Sequence, residues 1–295
     1  LIDLSVKLAT LNLKNPILLA SGVWDLPYTR IINFEKLGGV ICKGVSLNPK
    51  EGNPPPRISE TPCGIMNSIG LENKGLEHFN KEILPEMKNL NTHIFVNIFG
   101  ESIEDFSMIA SRIKDVAGLE VNISCPNVRE GGDSFGKDPK MVFLITKAVC
   151  NETELPVIVK LSPSASNIEE TAQAAKEGGA IAVASANTFP ALVIDIDRKK
   201  PLFKNITGGL SGPAIKPLAL YNVYKIKNAV DIPVIGSGGI ANYKDVIEYL
   251  IAGASAVELG SIIFNNPLAP IEILDNLVCW MTEKGYKNLG DIIKK

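Results

Sequence analysis

The sequence predicts a single (β/α)8 barrel, and two observations carry that prediction. Eight short, β-rich apolar runs alternate with eight longer amphipathic segments along the 295 residues, which is the repeat count of a closed parallel barrel. The runs are continuously apolar rather than alternating, as parallel strands covered on both faces require.

In chain order, residues 16–20 (PILLA) read as the first strand and 28–37 as the first helix. Residues 39–43 (GVICK) precede the helical pattern of 76–90, and 93–99 (HIFVNIF) precede that of 102–116. The strand at 119–123 (LEVNI) pairs with a helix at 139–149, and 156–161 (PVIVKL) with 168–176. The last three units are 180–186 (AIAVASA) with 217–228, 232–236 (IPVIG) with 243–251, and 256–260 (AVELG) with 271–284. Asn167 and Asn242 stand where helix N-caps are needed, because their side chains can accept from the free amides of the first turn. Three connections, 44–74, 124–138 and 187–216, are too long for plain turns and follow strand ends, so they read as active-site loops. No linker, low-complexity tract or tandem repeat divides residues 1–295, which favours one domain.

Composition sets the bounds. With 45% apolar and 21% charged residues and a net charge of −2, the chain is neither disordered nor low in complexity. Near neutrality and scattered basic residues give no field to recruit nucleic acid or an anionic membrane. No apolar stretch approaches the roughly 18 residues of a membrane-spanning helix, and the first ten residues lack the parts of a signal peptide. The five cysteines are odd in number, widely spaced and without a C-x-x-C pair. That argues against a disulfide framework, a structural metal or a cluster site, and points to a reducing cytoplasm. Cys42, Cys150 and Cys279 read as buried, inert thiols, and with two histidines in the chain the expected chemistry is not histidine-based.

A parallel barrel places its chemistry at the C-terminal mouth, so polar residues at strand ends carry the functional signal. Here they recur around the rim: Ser21, Lys43, Asn97, Asn122, Lys160 and Asn187. Each alone is an ordinary cap or solvated side chain. Two lysines and three amides converging on one mouth are costly unless a ligand needs them. The turns IGSGGI (235–240) and LGSI (259–262) close the last two strands, where glycine amides can grip a phosphate. The G-x-G-x-x-G pattern is incomplete, with Gly236 and Gly238 followed by Ala241, which argues against a dinucleotide fold. In NISCPN (122–127), Cys125 lies in a polar loop at the catalytic end, where a thiol near a cation can act as nucleophile or as general base.

Several motifs together, in order and across essentially the whole chain, resemble the catalytic subunit of class 1 dihydroorotate dehydrogenase, most closely the NAD-linked B subtype. They are CKGVSLNPKEGNPPPRISETPCGIMNSIGLENKG (42–75), VNISCPN, VIVKLSP, Asn187-Thr188, GGLSGPAIKP (208–217), GSGGI and the closing VELGS. The resemblance implies an FMN barrel that oxidises dihydroorotate to orotate in pyrimidine biosynthesis. It implies Cys125 as the base for the C5 proton, and Lys43 touching both flavin and substrate. Asn67, Ser68, Ile69, Gly70, Leu71, Asn122, Asn127, Asn187 and Thr188 match the substrate-holding groups. Ser21, Lys43, Gly44, Asn97, Asn122, Lys160, Ala186, Gly212, Gly238, Gly239, Gly260 and Ser261 match FMN positions. Lys160 can stabilise negative charge on reduced flavin. No metal is implied on this chain. FAD and a [2Fe–2S] cluster are expected only on a separate iron–sulfur flavoprotein subunit, with a homodimer inside a heterotetramer.

Two departures stand out. Ala191-Leu192 occupy the place of a customary Gly-Met pair, and Gly260-Ser261 that of Gly-Thr. The competing readings are a fumarate-linked A subtype, an FMN barrel acting on another reduced pyrimidine, a sugar-phosphate isomerase or lyase using Lys160, and a non-catalytic phosphate binder.

Overall fold

The computed structural model describes residues 2–124 and 133–293. Eight parallel strands close into a barrel in chain order: β1 (Ile17–Leu19), β2 (Gly39–Ile41), β3 (His93–Ile98), β4 (Gly118–Asn122), β5 (Val157–Lys160), β6 (Ala182–Ser185), β7 (Val234–Ser237) and β8 (Ala256–Leu259). Closure comes from β8 beside β1, with Val257 opposite Ile17 and Leu259 opposite Leu19.

Alternation of side chains divides the core in two. Ile17, Leu19, Val40, Val96, Val121, Val159, Val183 and Val257 face outward and pack beneath the helices. Leu18, Ile41, Phe95, Ile158, Ala182, Ile235 and Ala256 fill the interior near its N-terminal end. The antiparallel hairpin Val6–Leu8 with Leu11–Leu13 adds Leu8 and Leu13 to that interior layer and plugs the barrel there. Among the described residues the barrel is therefore solid below and opens at its C-terminal mouth.

Among the described residues six regular helices flank the strands: α1 (Ile103–Arg112), α2 (Pro139–Glu152), α3 (Ile168–Glu177), α4 (Lys216–Ala229), α5 (Tyr243–Ile251) and α6 (Ala269–Lys284). Asn167 caps α3 by accepting from the Glu170 amide at 3.2 Å, and Asn242 caps α5 in a reciprocal box with Asp245. Helix α1 stops at Arg112 rather than 116, because buried Ile113 is extended and Asp115 takes a left-handed conformation (φ 59°) that turns the chain into β4.

Two expected helices take another form. Residues 28–37 become two short 3₁₀ turns, Leu26–Arg30 and Phe34–Lys36. The chain buries Ile32 and Phe34, two positions apart, and an α-helix cannot aim both at one neighbour. The 76–90 segment is helical but irregular, with a π turn at Phe79–Ile83 just before Pro85. Proline has no N–H to donate back to Lys81, and the wider turn absorbs that gap.

The long loops hold structure of their own. Ile58–Thr61 and Gly64–Asn67 from the first, with Phe189–Leu192 and Thr207–Ser211 from the third, form one four-stranded antiparallel sheet. Ala191 and Leu192 fall in it opposite Gly208 and Thr207, Leu192 is exposed, and neither lines the mouth cavity. From the second loop the structure describes a short helix, Asp133–Lys137.

Candidate active site

The mouth holds a cavity of about 400 Å³. Its walls are built by strand ends: Ser21 after β1, Lys43 and Gly44 after β2, Asn97 in β3, Asn122 ending β4, Lys160 ending β5 and Ala186-Asn187-Thr188 after β6. Gly238 and Gly239 after β7, and Gly260 and Ser261 after β8, complete the ring. Asn67, Ile69, Gly70 and Leu71 reach it from the first long loop and Gly212 from the third. Ser68 does not line it: buried to 1%, its hydroxyl meets Asn53 at 3.1 Å and the Thr207 carbonyl at 3.5 Å, so it stitches the loops together. Cys125 and Asn127 lie outside the described residues. Val23, Ile58, Ile65 and Phe264 also line the cavity. They had no sequence signal, being ordinary apolar residues that reach the mouth from the first loop (Ile58, Ile65) and from the segments after β1 and β8 (Val23, Phe264).

The late turns are held from behind. Tyr249 donates to the Gly238 carbonyl at 2.7 Å, and Asp245 accepts from the amides of Ala241 and Asn242 at 2.8 and 3.0 Å. Burial pushes the Tyr249 hydroxyl up, so it stays a donor. Gly239 has φ 69°, and a Cβ there would come within 2.9 Å of Lys216 and Gly212 atoms. Gly260 is different: a Cβ there would meet nothing within 4 Å. Glycine at 260 therefore answers no packing demand, and it leaves room in the cavity wall that a side chain would fill.

A polar chain runs through the floor. Lys160 Nζ lies 2.6 Å from Glu258 Oε2 and 3.5 Å from Glu120 Oε1, while Asn97 Nδ2 donates to Glu120 Oε1 at 2.5 Å. Asn122 Nδ2 reaches Asn97 Oδ1 at 3.4 Å. Asn122 Oδ1 in turn accepts from Ser124 N and Oγ at 3.2 and 3.1 Å, and Asn187 Nδ2 donates to Ser124 Oγ at 3.0 Å. The backbone leading into residue 125 is thus clamped where β4 ends. Burial alone would lower the Lys160 pKa, but the two flanking carboxylates raise it above the usual lysine range. Burial and Glu258 push Glu120 up to about 8. Neither glutamate stood out as a site residue by sequence, although a carboxylate inside each of the apolar runs LEVNI and AVELG was the available signal.

Of the thiols assigned to the core, Cys42 is buried and pushed up to about 12, and half-buried Cys150 to about 11, chiefly by desolvation. Cys279 corrects its expectation, since it is exposed on α6 near Glu283. No group of three metal-ligating side chains occurs among the described residues. No helix among them is long and apolar enough to cross a membrane.

Fold and cavity together define a (β/α)8-barrel enzyme whose chemistry sits at the C-terminal mouth. The chain belongs to the dihydroorotate dehydrogenase family, whose sequence pattern it matches over residues 3–281. It is 46% identical to the dihydroorotate dehydrogenase B (NAD(+)) catalytic subunit of Thermoanaerobacter pseudethanolicus, over 99% of this chain and 98% of that protein. The protein of the same description from Bacteroides fragilis is 42% identical, again over 99% and 98%. A crystal structure of DHODH in complex with ferulenol from Eimeria tenella shares the fold, with a TM-score of 0.81 and 23% identity over 99% of this chain and 88% of that one. Enzymes of this family are flavoproteins.

Proposed function

We propose that this chain is the catalytic subunit of an NAD-linked dihydroorotate dehydrogenase, oxidising dihydroorotate to orotate with FMN held in the mouth cavity. One observation carries the reading. Every described residue assigned to cofactor or substrate from sequence, Ser68 apart, lines the same cavity.

The residues suit the group. The Gly238-Gly239 and Gly260-Ser261 turns offer unhindered amides to a phosphate, and the open space at Gly260 gives it room. Asn97, Asn122 and Lys160 present donors and a positive charge to a polar ring system. When bound, FMN supplies a two-electron acceptor for the hydride leaving C6 of the substrate. Lys43, Asn67, Asn122, Asn187 and Thr188, with the 68–71 segment and Asn127, hold the dihydropyrimidine and its carboxylate, whose amides and oxygens match these side chains. Cys125 takes the C5 proton as general base, and the Asn122–Ser124–Asn187 hydrogen bonds orient the backbone that delivers it. Electrons leave through a partner subunit, an iron–sulfur flavoprotein carrying FAD and a [2Fe–2S] cluster, within a heterotetramer built on a homodimer.

The purified chain is expected to be yellow and to bleach when dihydroorotate is added without oxygen. A colourless chain unable to take up FMN would sink the proposal. Bleaching by dihydrouracil alone would replace the substrate, and turnover with fumarate rather than NAD would replace the acceptor. Gly260→Val, which fills the open space, should weaken FMN binding by about tenfold or more, a cost of about 1.4 kcal/mol. Quenching of flavin fluorescence on titration measures it, and unchanged affinity would remove this turn from the cofactor site.

A further inference from the structure

Two buried carboxyl groups that the assigned roles do not use, Glu120 and Glu258, lie one layer beneath the cavity floor. Glu120 stands two residues before Asn122 on β4, and Glu258 two before Gly260 at the end of β8, so each shares the inward face with a cavity residue. Both are 1% exposed. Lys160 is the ammonium between them, at 2.6 and 3.5 Å, and Asn97 gives Glu120 one donor. Glu120 Oε2 and Glu258 Oε1 meet no donor. In register with Glu258 stand Leu18 of β1 and Ser237 of β7, and Ala184 of β6 stands beside Lys160, so these strands add no ionisable group. From β2 the titratable neighbour is Cys42, which is kept protonated chiefly by burial, against a backbone hydrogen bond from Asn97 and with a smaller contribution from Glu120.

Two carboxylates and one ammonium leave one uncompensated negative charge if all are ionised, and a desolvated charge costs several kcal/mol. A single proton on the carboxyl pair makes the cluster neutral and supplies a donor where both glutamates have an oxygen without one. Lys160 belongs to both levels, since it holds the carboxylates below and lines the cavity above.

We propose that Glu120 and Glu258 share one proton and act through Lys160 as positioning residues that set the charge presented to the cofactor from beneath. The inference rests on the reading of the cavity as the FMN site. With the proton in place, the cluster is neutral and the Lys160 charge is available to negative charge in the cavity. Release of that proton to solvent water leaves the cluster at −1 and ties Lys160 to two carboxylates. No bond other than O–H changes and no electron moves within the cluster. The elevated proton affinity of Glu120, about 8, agrees with the charge count.

Infrared difference spectroscopy of the cofactor-free chain in H₂O and D₂O tests the shared proton without any flavin. A protonated carboxyl band is expected at pH 7, titrating away near pH 8 and absent in Glu120→Gln. With FMN bound, the ratio of reduced to oxidised affinity should fall by about tenfold per pH unit above that point in the wild type, and stay flat in the variant. If Glu120→Gln does not fold, Glu258→Gln must lose the same band, because Glu120 is then left as a carboxylate beside Lys160. No band at pH 6, or a band kept in either folded variant, overturns the shared proton. The same pH dependence persisting in Glu120→Gln overturns its link to the cofactor. Failure to bind FMN at all is read separately by flavin fluorescence and overturns the cavity reading instead.

Discussion

Lys160→Met is expected to lower the thermal midpoint by about 5–8 °C. Methionine matches the lysine stem in length, so packing is nearly kept and the loss is electrostatic. Removing the cation strands Glu258 and Glu120, both 1% exposed, without the ammonium that lies 2.6 and 3.5 Å away. Breaking a buried pair in this way costs about 3–5 kcal/mol, and for a chain of 295 residues each kcal/mol moves the midpoint by roughly 1.6 °C.

The pH dependence distinguishes this cause from loose packing. Glu120 is raised from 4.5 to about 8 in the folded chain, so the stability it contributes is complete below the lower value and lost as pH rises through the upper one. The Lys160→Met penalty should therefore shrink in acid, where the stranded Glu120 is neutral, and grow toward pH 8. Adding Glu258→Gln to Lys160→Met should restore much of the loss. A penalty independent of pH, or no recovery in the double variant, would show that the lysine matters only as bulk. Calorimetric scans between pH 5 and 8 decide between these outcomes.

Cys125→Ala is expected to keep FMN and to slow anaerobic flavin reduction by dihydroorotate by about 10²–10⁴-fold, the range that a positioned general base supplies. The described residues proposed to hold the cofactor come from the strand ends, the two late turns and the third loop, and the substitution replaces none of them. Flavin affinity should therefore be unchanged while the reduction rate collapses. Stopped-flow absorbance gives the rate and fluorescence titration the affinity. Wild-type reduction kinetics in the variant would remove Cys125 from the mechanism, and joint loss of flavin and rate would make it a structural residue.

Much of the fold was legible because barrel strands announce themselves locally. Runs such as PVIVKL and AIAVASA need apolar residues on both faces, and the strands appear within a few residues of where these runs lie. The caps at Asn167 and Asn242 were legible for the same reason, since a cap acts on amides two or three residues away. The helix expected at 28–37 failed because burial of Ile32 and Phe34 overrode its periodicity. The sheet joining the first and third loops was not legible either, because it pairs Gly209 with Asn67 across residues far apart in the chain. Ser68 sits in a motif that otherwise lines the cavity, and only the packing of the two loops shows that it faces Asn53 and Thr207 instead.

By itself the sequence determined the eight-fold alternation, the ring of strand-end polar residues and the glycine turns, since each depends on residues close together in the chain. The tertiary structure alone decided which of those residues share one cavity, and that Lys160 answers to Glu120 and Glu258. Those three come from β5, β4 and β8, and barrel closure is what brings their charges within reach of one another in a space where water cannot screen them.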